Sequence, residues 1–143
     1  MSAASLLAAK RVTDPAAFVD RLVPGAEVIV PIANGEPVQL LDALEANADR
    51  LDGVTVHQMH ALRDRPTLHG AYGDHLRHVS YFLSHITRPC FHEGHVDLVP
   101  NHFSEVYDLI RRRSAHPYVI AAAAPPDQHG NFSLGVSADY VAS

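Results

Sequence analysis

The sequence has almost no lysine, a single cysteine and no apolar run long enough to cross a bilayer, and each absence removes a class of function. Lys10 is the only lysine, and the formal net charge is −5 with histidine neutral. Without a Lys/Arg stripe to neutralise phosphates, a general nucleic-acid role is excluded. Cys90 has no second cysteine to pair with, so no internal disulfide forms, which fits a reducing cytoplasm. A short apolar patch at residues 6–9 is followed, not preceded, by the basic pair Lys10 and Arg11, the reverse of a secretory signal. No leader, spanning segment or membrane partner is therefore expected. Repeats, low-complexity tracts and linkers are also missing, so residues 1–143 read as one soluble, cytoplasmic domain.

What is present is ordinary in bulk and unusual in one residue. Hydrophobic residues make up 47% and charged residues 19%, as in a soluble globular chain. A domain of this size buries about two-thirds of its unfolded surface, enough for a true core. Histidine is abundant: protonating all 11 would move the formal charge from −5 to +6, so mild acid alters solubility and partner choice.

Read in order, the chain alternates strand and helix patterns. Residues 2–11 form a candidate Ala/Leu helix, and Asp14-Pro15 pairs an N-cap with a first-turn proline before the helix at 16–22. Pro24-Gly25 ends it. Glu27-Val-Ile-Val-Pro-Ile32 is a short β-branched strand. Asn34-Gly35-Glu36-Pro37 turns the chain into a helix whose apolar set, Leu40, Leu41, Leu44, Ala48 and Leu51, has helical spacing. Gly53 stops it, and Val54-Thr-Val-His-Gln-Met59 is the next strand, completing a right-handed β-α-β unit. Leu76, Val79, Phe82 and Leu83 predict a helix over 74–85, broken at Arg88-Pro89. Residues 94–100 read as a short extended segment. Asn101 is the predicted cap of a helix carrying Phe103, Val106, Tyr107 and Ile110 on one face. Arg111, Arg112 and Arg113 fall in its last turn, where positive charge complements the helix dipole. Tyr118-Val-Ile-Ala-Ala-Ala-Ala124 then predicts a strand buried on both faces of a parallel sheet. The fold class is α/β, an open, mainly parallel sheet with flanking helices.

The candidate site residues gather in two loops at the carboxyl ends of strands, where open α/β sheets bind ligands. After residue 124 come Pro125, Pro126, Asp127, His129, Gly130, Asn131, Ser133 and Gly135. Asp127 and His129 either face a ligand or hold the loop together, with Asp127 in an Asx-type turn, and the second role is favoured. Gly130 and Gly135 supply backbone freedom. HGxxxxG is not a phosphate-loop pattern. At the first loop, the amides around Asn34, Gly35 and Pro37 either meet a phosphate or carboxylate or simply cap a turn.

The histidines suggest metal only weakly. His57 and His60, and His92 and His95, are three apart, a spacing that in strands or loops does not put two rings on one face. HisGluGlyHis is not HExxH, so no metal is expected. Cys90, two residues before His92, reads as a buried thiol in preference to a Cys–His nucleophile.

Three pieces together resemble one family. Pro125-Pro-Asp-Gln-His-Gly-Asn-Phe-Ser-Leu-Gly-Val-Ser-Ala-Asp-Tyr140 closely resembles the signature loop of the acetyl-CoA hydrolase/transferase family, which includes 4-hydroxybutyrate CoA-transferases. His75, Phe82, Arg88 and Gly94-His-Val-Asp-Leu-Val-Pro100 look like the region upstream of it, and Val28-Ile-Val, Gly35-Glu-Pro37, Leu40 and Leu44 resemble the opening strand-turn-helix. The resemblance runs from about residue 20 to the end and implies the N-terminal half of a two-domain enzyme. That enzyme moves coenzyme A between an acyl-CoA and a small carboxylate, or hydrolyses acyl-CoA, through a glutamyl-CoA intermediate. In the family the nucleophilic glutamate and a Gly-rich oxyanion segment lie in the C-terminal half. Glu27, Glu36, Glu45, Glu93 and Glu105 do not match that glutamate's context, so no catalytic residue is expected here. The chain is accordingly expected to be truncated and to need that half, or a homo-oligomer, as partner. The alternative is a stand-alone α/β module that binds acyl-CoA or a protein partner without chemistry. A metal hydrolase built on the histidines is a third, weaker reading.

Overall fold

Short runs of β-branched residues at Glu27–Val30 (β1) and Val54–Gln58 (β2) build the middle of a parallel sheet, the former with every residue after Glu27 buried. The protein is described by a computed structural model covering residues 10–142. Leu76–Ser80 (β3), Val96–Leu98 (β4) and Pro117–Val119 (β5) complete five parallel strands in the order β4-β3-β2-β1-β5. The helices are Ala16–Val19 (α1), Val38–Ala46 (α2), Thr87–His92 (α3) and Val106–Arg113 (α4), joined by short 3-10 turns.

Strand alternation sends apolar residues to both faces. On one face Val28, Val30, Val54, Val56 and Leu76 pack under Leu41, Leu44, Ala48 and Leu51 from α2 and the turn after it. Burying a side chain such as Leu44 contributes about 1.5–3 kcal/mol. On the other, Ile29, Met59 and Tyr81 pack with Val106 and Ile110 of α4 and with Tyr140. The strands step away from β1 in sequence as far as β4, and the chain then returns to the opposite side of β1 for β5. The strand order therefore reverses between β1 and β5, the position at which such sheets open a crevice beyond their carboxyl ends.

Several sequence expectations are corrected. The segment predicted as a helix over 74–85 contains strand β3: Leu76, His78 and Ser80 are buried while Arg77 is exposed, a period of two. The helical spacing of Leu76, Val79 and Phe82 is coincidental, because half-buried Val79 and exposed Phe82 do not share the inward face. Arg88-Pro89 does not break a helix; it lies in the first turn of α3, where a missing amide is tolerated. Ser84 sets that start, its Oγ accepting from the Ile86 and Thr87 amides at 3.2 Å each. Asn101 does not cap α4. Its Nδ2 donates to the Tyr81 and Val99 carbonyls at 2.7 and 2.8 Å, while the His102 amide donates to Glu105 Oε2 at 3.2 Å across the first turn. Phe103 and Tyr107 are exposed, so the buried face of that segment is narrower than its spacing suggests.

The largest correction concerns residues 118–124. Only Pro117–Val119 joins the ladder, and Val119 is 58% exposed. β5 is the edge strand with one neighbour, so its outer side has nothing to pack against. Ile120 is buried and its amide reaches the Ile29 carbonyl at 3.1 Å, but residues 122–124 are exposed. The Asp14 cap is in place, Oδ1 accepting from the Ala16 amide at 2.9 Å. The arginine triplet closes α4 as expected. Most of the helix predicted over residues 2–11 lies outside the described residues.

Candidate functional site

The chain leaving β1 makes a tight turn at Ala33–Gly35 before α2. Ala33 has φ +50°, a left-handed conformation that costs an alanine about 1 kcal/mol and persists only where its surroundings impose it. Gly35 is required for a different reason. A Cβ there would lie 2.5 Å from Pro31 Cβ and 2.9 Å from Ser137 Cβ, so the turn and the loop after β5 touch backbone to side chain. The turn uses most of its own amides: Gly35 donates to Ile32, Glu36 to Ala33 and Val38 to Glu36. Few donors are left to meet an anion there. Asn34 is exposed and Pro37 is buried.

The loop after β5 divides into a tip and a base. At the tip, Asp127 accepts from the His129 and Asn131 amides at 2.8 and 2.9 Å and from Asn131 Nδ2 at 3.2 Å. Those donors, the Asn131 amide foremost, hold its carboxyl below the usual range. His129 is exposed, its Nε2 3.1 Å from Gln128 Nε2. Paired bonds from Ala124 to Ser133 and from Asp127 to Asn131 fold the tip on itself, and Ser133 Oγ accepts from the Gly135 amide at 3.2 Å. Gly130 and Gly135 both have positive φ, +87° and +61°. Asp127, His129, Gly130 and Ser133 are thus brought together by one another. Among the described residues no hydrogen bond links that tip to Asn34, Gly35 or Pro37.

The base is what meets the sheet, and its side chains were not singled out from sequence. Asp139 Oδ2 accepts from the Ile32 amide at 2.6 Å. The buried Tyr140 hydroxyl donates to the Val30 carbonyl at 2.5 Å and accepts from the Met59 amide at 3.1 Å, joining the ends of β1 and β2. Burial pushes the Tyr140 phenol up, so it stays a donor. Together with Ser137 against Gly35, these contacts lay the signature loop across the reversal point between β1 and β5.

Beside it, on the loop after β2, His60 stacks on exposed Phe82 with ring centroids 5.3 Å apart. Below, Glu36 is buried, its Oε1 accepting from Gln58 Nε2 at 3.0 Å and from the Leu62 amide at 3.2 Å. Glu36 Oε2 is also buried and has no hydrogen bond; Arg63 Nε lies 3.7 Å from it. Glu45 holds Arg65 and Thr67.

The remaining histidines and the cysteine have other roles. His78 is fully buried and burial lowers its pKa to about 3, keeping it neutral in the core. His57 Nδ1 lies 3.0 Å from the Tyr81 hydroxyl, and burial lowers its pKa too. Among the described residues no three His, Cys, Asp or Glu side chains converge as a metal site. Cys90 meets His69, not His92: Sγ lies 3.8 Å from Nδ1, and His69 Nε2 is 2.6 Å from Asp64. Burial pushes the Cys90 thiol up, which suits a packed thiol. No described helix is long and apolar enough to cross a membrane. The enclosed cavity beneath α2, about 20 Å³, is far too small for an acyl group. The loops at the carboxyl edge present an exposed surface.

Comparison with known proteins shows the family to which the chain is similar. The model of the acetyl-CoA hydrolase/transferase N-terminal domain matches residues 9–143. A succinyl-CoA:cyclohexane-1-carboxylate CoA transferase from Geobacter metallireducens is 35% identical over 77% of this chain and 25% of its own length. A 4-hydroxybutyrate coenzyme A transferase from Clostridium kluyveri is 31% identical over 85% of this chain and 29% of its own. Among solved structures, 4-hydroxybutyrate CoA-transferase from Porphyromonas gingivalis superposes with TM-score 0.66 at 28% identity, over 95% of this chain and 30% of that one. RipA from Yersinia pestis shares the fold, with TM-score 0.82 at 24% identity over 99% of this chain and 35% of that one. The chain thus spans about a quarter to a third of the length of these proteins.

Proposed function

Because this chain belongs to the acetyl-CoA hydrolase/transferase family as its N-terminal domain, we propose that it forms one wall of an acyl-CoA site. The opposite wall, carrying the nucleophilic glutamate, belongs to a C-terminal half. The reaction transfers CoA between carboxylates. The glutamate attacks the acyl-CoA carbonyl and expels CoA thiolate, giving an acyl-glutamyl anhydride. The thiolate attacks the glutamyl carbonyl and releases the first acid, leaving a glutamyl-CoA thioester. An incoming carboxylate repeats the two steps in reverse order, forming a new anhydride and then a new acyl-CoA and restoring the glutamate. With water as the acceptor, the same intermediate gives hydrolysis.

The observation that carries this reading is the clasp of Asp139 and Tyr140 on the ends of β1 and β2, which lays the signature loop over the crevice position. Asn34, Gly35 and Pro37 border the CoA from the β1 side; Asp127, His129, Gly130, Ser133 and Gly135 border it from the loop, shaping the wall without attacking. Exposed Val119, Phe132 and Val136 near that edge supply apolar area for the second half to cover.

The test is co-expression with a C-terminal half taken from a relative, followed by a CoA-transfer assay and hydroxylamine trapping of the glutamyl thioester. Transfer by the pair and none by either part is the expected result. Turnover of acyl-CoA by this chain alone overturns the assignment of the nucleophile. Stable acyl-CoA binding with no transfer in any pairing favours a non-catalytic binding module.

A further inference from the structure

The Glu36 carboxylate is an unusual thing to bury at a strand end. Its side chain is 4% exposed, one oxygen is doubly hydrogen-bonded and the other has no hydrogen bond at all. A buried oxygen in that condition costs free energy unless a charge lies close. The group that answers it is Arg63, whose Nε stands 3.7 Å away while its side chain is 62% exposed.

The other acids nearby are engaged. Asp64 is held by His69, and Asp42 and Glu45 are held by Arg65. Arg63 makes no hydrogen bond among the described residues, so the outer N–H groups of its guanidinium are available. Several other arginines are engaged or lie elsewhere. Arg50 is paired with Asp20, Arg77 with Asp97, and Arg88 donates to the Leu83 carbonyl. The triplet 111–113 precedes β5 and lies toward the amino edge of the sheet. Arg63 and Arg65 both lie on the loop leaving the carboxyl end of β2, but Arg65 is engaged by Asp42 and Glu45, whereas Arg63 stands beside the buried Glu36 carboxylate with its side chain 62% exposed. A planar fork with a carboxylate beside its Nε and its other N–H groups open suits bidentate capture of an oxyanion.

We propose that Arg63 recognises an anionic group of the substrate, with Glu36 as the residue that positions it. This rests on the acyl-CoA reading above and deepens it. The shared chemistry is an oxyanion, either a phosphate of CoA or the carboxylate of the acceptor acid.

Calorimetric titration of the chain with CoA, with dephospho-CoA and with succinate separates the two sources. Arg63→Met should weaken the recognised ligand by about ten- to a hundredfold, and Arg63→Lys by less, because it keeps the charge and loses the fork. Arg77→Met, which removes a cation elsewhere, should change nothing. A loss seen with CoA and abolished with dephospho-CoA assigns the 3′-phosphate; a loss seen with succinate assigns the acceptor carboxylate. Glu36→Gln should weaken binding in the wild-type background and add nothing in Arg63→Met, since it acts through the arginine. Unchanged affinity in Arg63→Met overturns the proposal, and so does absence of any binding by the wild-type chain. Neither result touches the transfer reaction, which the assay of the co-expressed halves judges separately.

Discussion

The hydroxyl of Tyr140 donates to the carbonyl of Val30, a residue 110 positions earlier, and in the same place accepts the amide of Met59. One phenol therefore satisfies two backbone groups of adjacent strands just where the sheet stops pairing. Removing the oxygen leaves a buried carbonyl and a buried amide without partners. Tyr140→Phe should lower stability by about 1–3 kcal/mol in urea unfolding and should speed proteolysis within residues 121–139, because the base of the loop loses its hold.

Gly35→Ala tests the contact from the other side. The added methyl would meet Pro31 and Ser137 well inside van der Waals distance. Overpacking of this kind costs about 1–3 kcal/mol, and the yielding partner should be the loop. Increased proteolysis of the loop with little change in circular dichroism is the expected signature.

Stability should fall in acid through the buried histidines. Burial holds the pKa of His78 at about 3 in the folded state against an ordinary value of 6.5, so between these values the unfolded chain binds the extra proton. Stability is then fully present above about pH 6.5 and declines as pH falls toward 3, by at most about 1.4 kcal/mol per pH unit from this group. His57 is shifted in the same direction and adds to the slope. Urea midpoints measured from pH 7 to pH 4 should drop, and a folded His78→Gln variant should show a shallower dependence. A flat profile in the wild type would contradict the burial of both rings.

Cys90 should be slow to react with Ellman's reagent in the native protein and fast in denaturant. Its thiol is buried and pushed up despite the neighbouring His69. Rapid native labelling would mean that the Asp64–His69–Cys90 chain activates the thiol.

Asp127→Ala and His129→Ala should each change CoA affinity only slightly in the proposed two-part assembly, since Asp127 serves its own turn and the His129 ring meets Gln128 alone among the described residues. A loss of a hundredfold or more in either would move that residue from the loop's architecture into ligand contact.

The β1-α2-β2 unit was legible in the sequence because its apolar β-branched runs and its Gly and Pro punctuation are local signals. β3 was not, since two of its inward positions are taken by His78 and Ser80, and pattern reading counts neither as core. The run at 118–124 predicts a strand buried on both faces, because an apolar run carries no mark of how many neighbours its strand will have. In the loops, the turn at Asp127 follows from local chemistry, its carboxylate accepting the His129 and Asn131 amides. The need for glycine at Gly35 depends on Ser137, the use of Tyr140 depends on Val30 and Met59, and the isolation of Glu36 Oε2 depends on Arg63. These pairings are made across the fold, and no window along the chain contains them.

The reversal of strand order at β1 has a consequence for how the molecule comes into being. β2, β3 and β4 each add beside the strand made just before, so four strands can pair while residues beyond 98 are still unordered. β5 must instead find β1 across 90 residues, from Glu27 to Pro117, at a correspondingly higher entropic cost and lower rate. The loop clasped by Tyr140 follows β5 in the chain and closes back onto β1 and β2. The proposed ligand-facing surface is thus built from chain that lies after all five strands and rests on a core assembled from earlier residues.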